Sequence, residues 1–184
     1  MRINQHRIKQ ATAGLILFIA LMALAGCRGS PEAVPGAITI QGTGVAAPVS
    51  FTMAELKKMA EGLVEADYFA LNSYGTKEYF HYKGVWVWHL LRDQVGLKDE
   101  AAKVTFIGED DYTVSFDLED VKKEDYIDEH NPAANYKMIL AWEQDGEEFD
   151  PAQGNPFQLV IGQYEPGWAN KPYWVRNVKT IRID

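Results

Sequence analysis

The chain of 184 residues has one cysteine, Cys27. That count narrows the available folds more than any other feature. No intramolecular disulfide can form, no Cys-x-x-Cys pair exists, and no cysteine cluster can hold a metal. Whatever folds here must be held by a buried apolar core. The chain beyond Cys27 is long enough to build such a core as one domain without covalent staples, and 47% of all residues are hydrophobic. No motif recurs at a period of roughly 20 to 50 residues, so a repeat architecture is excluded.

The segment before Cys27 reads as a leader. "MRINQHRIKQ" is polar and basic, and "ATAGLILFIALMALAG" is apolar and uncharged. The apolar run is shorter than the roughly 18 to 20 residues of a spanning helix and has the flanks of a secretory signal. It runs into Leu24-Ala25-Gly26-Cys27, which resembles the bacterial lipobox. That resemblance implies a signal peptide over residues 1–26, cleavage before Cys27 and a diacylglyceryl group on its thiol. The expected location is extracytoplasmic, on the periplasmic or cell-surface side, anchored to the lipid bilayer through acylated Cys27. Residues 27–36, rich in Pro, Gly and Ala, read as a short tether, and residues 37–184 as the domain.

The net charge is −8, and the leader holds three basic residues and no acidic ones. The domain is therefore more acidic than the whole chain. Such a surface repels nucleic acid and anionic headgroups, so no nucleic-acid partner is expected. Its acids gather at 109–111, 117–128 and 145–150 and read as solvated faces.

Alternation and turn residues predict the elements. Residues 37–44 alternate as a strand. Thr52 followed by Glu55 is a capping-box signature for a helix over 53–61, with Gly62 as its stop. "YFALNSYGTKEYFHYKG", residues 68–84, reads as two strands around a turn at Ser73-Tyr74-Gly75. A second amphipathic helix runs to Gly96. Residues 103–107 and 112–116 form a hairpin, and Asp145-Gly146 is the strongest local hairpin signal. Residues 157–161 and 174–183 complete the strands, with the Gly, Pro and aromatic-rich loop "GQYEPGWANKPY" between them. The class is α+β, mostly antiparallel sheets with two or three short helices.

Several stretches then fall in a recognisable order: Gly84-Val85 before a helix ending Leu90-Leu91, Leu140-Ala141 before the Asp145-Gly146 hairpin, Gly154-Asn155-Pro156 before Leu159-Val160, and Trp174-Val175-Arg176-Asn177-Val178 in the last strand. Together they resemble the molybdopterin-binding domain of the sulfite oxidase family in its short, single-domain bacterial form, over residues 38–183. The resemblance implies that fold, a molybdopterin cofactor and oxidoreductase chemistry.

Two departures matter. Enzymes of that family place a cysteine just after the first opening strand, and its thiolate binds molybdenum; a soft sulfur ligand suits the metal. Here that position falls at about Leu71 or Asn72, and neither offers a thiolate. Exported family enzymes also leave the cytoplasm folded, on a twin-arginine signal, whereas Arg2 and Arg7 are separated by four residues. A chain threaded unfolded carries no cofactor loaded inside the cell.

No Walker loop, Gly-x-Ser-x-Gly, Gly-x-Gly-x-x-Gly or His-Glu-x-x-His motif occurs. The candidate ligand-binding residues are Asn72, Ser73 and Tyr74 in the turn, His81 on the next strand, and Trp168 and Trp174 in or beside the aromatic loop. Arg176 and Lys179 join them, because the resemblance places basic residues there near the pterin phosphate. The expectation is a non-catalytic binding domain without a cofactor, taking a small ligand or a redox or cell-envelope protein. The alternatives are a molybdopterin oxidoreductase with non-cysteine ligation and an accessory lipoprotein of a redox complex.

Overall fold

The computed structural model describes residues 35–184. The leader, Cys27 and most of the tether lie outside the described residues. The strands are β1 (Ala37–Gln41), β2 (Val49–Thr52), β3 (Leu63–Leu71), β4 (Lys77–Trp86), β5 (Lys103–Gly108), β6 (Thr113–Asp117), β7 (Ile139–Gln144), β8 (Glu147–Glu148), β9 (Gln158–Val160) and β10 (Val178–Ile183). The α-helices are α1 (Met53–Leu56), α2 (Val87–Gln94) and α3 (Leu118–Lys122).

The strands form two sheets. One has the order β2-β1-β10-β5-β6; the other runs β3-β4-β7-β8, with β9 also on β7. β1 pairs with β10 in parallel, and the remaining strand pairs are antiparallel. This is the α+β, mostly antiparallel architecture expected from the alternation. Both sheets feed a single apolar core. Ile38, Phe106 and Ile181 enter it from the first, Tyr68, Tyr82, Leu140 and Leu159 from the second, and Leu90 and Leu91 from α2.

Local rules explain most elements. Thr52 and Glu55 make the full capping box at the start of α1, each side chain holding the other's backbone N–H. Asp145 and Gly146 both have positive φ, 54° and 85°, as a type I′ turn requires, and they join β7 to β8. Three details differ from the pattern. The helix over 53–61 closes after Leu56 and is followed by a 3-10 turn at Ala60–Gly62. Residues 49–52, for which the sequence pattern predicts no element, pair with β1. The last strand starts at Val178, because Lys171–Tyr173 is a 3-10 turn and Asn177 takes a φ of 48°.

The long β3–β4 hairpin carries the turn that matters for function. It pairs continuously from Leu63↔Val85 to Leu71↔Lys77. Its far strand lies against β7, with a register shift at Lys83/Gly84. At Gly84 an added Cβ would stand 2.5 Å from Leu140 O and 2.7 Å from Ala141 Cα. The obstacle is backbone, which has no rotamer to yield. Gly84→Ala should lower stability by about 2–3 kcal/mol, seen as a lower urea midpoint with an unchanged m-value.

Candidate functional site

The β3–β4 turn is built by Asn72. Its amide oxygen accepts from the backbone N–H of Tyr74 and of Thr76, both at 2.9 Å. The Asn72 N–H donates to Thr76 O at 3.1 Å, and Gly75 N–H to Asn72 O at 3.0 Å. Asn72 is thus a turn builder with both lone pairs of its amide oxygen engaged. Tyr74 projects outward and is 96% exposed. Ser73 faces a cleft.

That cleft has a volume of about 580 Å³ and is lined by Ser73, the 112–115 stretch at the start of β6, Trp168, Ala169, Pro172 and Tyr173. Its main wall is aromatic. Trp168 and Tyr173 stack at 4.5 Å between centroids, and Tyr164 meets Trp168 edge-on at 4.6 Å. The Tyr112 hydroxyl donates to Pro172 O at 2.6 Å and ties β6 to the loop. Ser115, Trp168 and Tyr173 also wall an adjoining recess of about 330 Å³ that holds Lys103, Asp117 and Asp120.

Two residues hold the loop in place. Asn170 is fully buried; its amide N–H groups donate to Phe69 O (2.8 Å) and Ile161 O (2.9 Å), and its oxygen accepts from Leu71 N–H (2.8 Å). Glu129 receives the Gly167 N–H at 2.6 Å and the Gln163 amide at 3.3 Å, and it pairs with Lys77 at 2.7 Å. The Lys77 ammonium, then these N–H donors, hold its carboxyl down at about 2. Neither residue was singled out by motif. Asn170 sits in a Gly/Pro loop where an asparagine reads as turn composition. Glu129 lies in a mixed-charge run, and its partners are 34 to 52 residues away in sequence.

The other sequence candidates are dispersed. Trp174 is buried; its indole N–H donates to Ile161 O at 2.9 Å, and its ring packs edge-on against Tyr82 at 5.5 Å. It is core, not lining. His81 stands on the β3–β4 face between Asp67 (2.7 Å) and Glu65 (3.2 Å). Those carboxylates, Asp67 first, raise its pKa above the ordinary histidine value. His89, on α2, pairs with Asp93 at 2.9 Å. Lys179 pairs with Asp111 at 2.8 Å. Arg176 lines a different cleft. Of the candidates, the structure brings together Ser73 and Trp168, and it adds Tyr112 and Tyr173.

The lining does not fit a molybdenum pterin. The turn at the expected ligand position offers an amide oxygen already occupied by two N–H groups and no thiolate. The larger cleft has no cationic side chain for a phosphate, and the one lysine of the recess shares it with two carboxylates. Among the described residues, no group of three or more His, Cys, Asp or Glu side chains is placed to hold a metal ion.

Two mostly antiparallel sheets with a few short helices and a long opening hairpin make up the sulfite-oxidase-like molybdopterin-binding fold. The chain belongs to the oxidoreductase molybdopterin binding domain family, which it matches over residues 35–183. Its fold is shared with the sulfane dehydrogenase SoxCD from Paracoccus pantotrophus, at a TM-score of 0.60 and 22% identity. The match covers 80% of this chain and 37% of that one, so this chain spans little more than a third of its length. No curated protein matches the sequence.

The Glu129 anchor gives a pH signature. A carboxyl lowered from 4.5 to about 2 on folding adds stability above the unfolded value, and that stability is lost as pH falls from 4.5 towards 2. Glu129→Gln should melt a few degrees below the parent at neutral pH. The gap should close across that interval and vanish below it, as read by thermal melts at stepped pH.

Proposed function

We propose that this protein is a lipid-anchored, extracytoplasmic binding domain that keeps the molybdopterin-binding fold without molybdenum chemistry. Its cleft beside Ser73 holds a small ligand or a side chain of a cell-envelope partner against the Trp168–Tyr173 pair. The observation that carries this reading is the Asn72 turn. Where the family's metal-ligating cysteine belongs, the chain has a closed turn whose amide oxygen is occupied by Tyr74 and Thr76 N–H. The stacked aromatic wall supports a binding role, since aromatic rings with a few polar groups are the usual lining of small-molecule sites.

The direct test is metal and pterin analysis of the full protein purified in detergent from its native host. Neither molybdenum nor pterin is expected. Molybdenum and pterin in stoichiometric amount would overturn the proposal and make residues 71–74 a new kind of ligand site.

The anchor rests on Leu24-Ala25-Gly26-Cys27 and has its own check. Full-length protein should take up a labelled fatty acid and sediment with membranes. Cys27→Ser should lose the label, and failure of that substitution to abolish labelling would exclude acylation at Cys27.

A further inference from the structure

The Ser73 cleft and its adjoining recess meet along β6. Residues 112–115 line the first and residues 115–117 the second, and Trp168 and Tyr173 line both. The two form a groove that follows the strand for its whole length, roughly 17 Å for a strand of this size. β6 is also the end strand of its sheet.

Its outer edge is open to pairing. Gly108 N–H donates to Tyr112 O at 2.9 Å, and Leu118 N–H to Ala102 O at 2.8 Å. Backbone groups alternate in direction along a strand of an antiparallel pair. Tyr112, Val114, Phe116 and Leu118 therefore turn theirs to β5, and Thr113 and Ser115 turn theirs outward. Among the described residues, no hydrogen bond engages the N–H or C=O of Thr113 or Ser115. Their hydroxyls bond elsewhere, to Asp111 O at 3.0 Å and to the Thr105 hydroxyl at 2.9 Å. The strand has no bulge, no proline and no lysine, the usual guards of an exposed edge.

The other edges are guarded. On β3, Asn170 takes Leu71 N–H and Phe69 O, and Glu65 and Asp67 add charge further along. Outside β9, Leu159 N–H donates to Val175 O at 2.8 Å. β2 has four residues and follows Pro48, and β8 has two.

The surroundings of β6 select its occupant. An aromatic wall suits the alternate side chains of an extended peptide. The recess end sets Asp117 and Asp120 against one lysine, Lys103, and so favours a basic residue. A second copy fits poorly. Antiparallel pairing of two β6 strands about Ser115 would set Asp110 and Asp111 of each copy against Glu119 and Asp120 of the other, and like charges oppose such pairing.

We propose that β6 takes up an extended segment of a partner protein as an added strand. Alternate side chains of that segment lie on Trp168 and Tyr173, and a basic residue lies towards Asp117 and Asp120. Main-chain hydrogen bonds to Thr113 and Ser115 hold it. This rests on the partner reading of the Ser73 cleft and adds a backbone to the side chain held there.

The test uses full-length protein in detergent and the blocked peptide acetyl-Lys-Val-Thr-Val-Thr-Val-amide, with backbone amide exchange followed by NMR. The peptide should bind saturably and slow exchange at Thr113 and Ser115 about tenfold or more. Its fully N-methylated form keeps the side chains but cannot donate, and should bind at least tenfold more weakly. Ser115→Pro removes an outward N–H without touching a backbone hydrogen bond to β5, and should weaken the peptide by a similar factor. The N-methylated control needs no variant, so it decides the matter even if Ser115→Pro fails to fold. No saturable binding overturns strand addition alone, since the cleft can still take a small ligand. Equal binding of both peptides, lost for both in Trp168→Ala, overturns strand addition and leaves the side-chain reading of the cleft standing. Equal binding of a peptide with glutamate in place of lysine overturns the basic residue. Exchange that slows with protein concentration in the absence of peptide overturns the partner in favour of a second copy.

Discussion

The buried side chain of Asn170 is the contact on which the functional end of the molecule depends. It ties the end of β3 to the loop from 162 to 173 at backbone level. One amide joins them by donating to Phe69 O and Ile161 O and accepting from Leu71 N–H. Each bond is worth about 1 kcal/mol net, but losing the amide would strand buried backbone groups at about 1–3 kcal/mol apiece. Because Leu71 leads directly into the Asn72 turn, the same clamp sets where Ser73 stands relative to Trp168. Glu129 adds a second, charged tie from the opposite side through Gly167 and Lys77.

This construction explains how the family fold is held without a thiolate in the Asn72 turn. The hairpin, the loop and the clamp are backbone arrangements held by amides and packing. None of them needs a thiolate or a phosphate. With the cysteine position closed into a hydrogen-bonded turn and the cleft wall made of Tyr112, Trp168 and Tyr173, the scaffold offers shape and aromatic surface. Arg176, which the family resemblance would send towards a phosphate, is carried by the 174–178 segment to the other cleft. There it shares the lining with Asn155 and Gln158 instead.

Much of the fold was legible in the residues. Thr52 and Glu55 announced a capping box, Asp145-Gly146 announced a hairpin, and residues 103–107 and 112–116 announced another. These are local matters in which a residue acts on backbone two to four positions away. The site was read less well for the opposite reason. Trp168 and Trp174 look alike in sequence, six residues apart in one aromatic loop. One lines the cleft and the other is buried against Tyr82, because a 3-10 turn at Lys171–Tyr173 redirects the chain between them. His81 and Ser73 lie on the same hairpin, yet His81 falls on a face held by Asp67 and Glu65, away from the turn.

The sequence by itself determined the class of domain, the order of its elements, the lack of any thiol beyond Cys27 and the acidic surface. Those follow from composition and short-range backbone preference, which any segment carries with it. Only the tertiary structure decided which side chains share a cleft. Asn170 meets Leu71 across 99 residues of chain, and Asn155 meets Ala37 across 118. Such contacts depend on how two sheets close on one core, and the spacing of residues along the chain does not encode that distance.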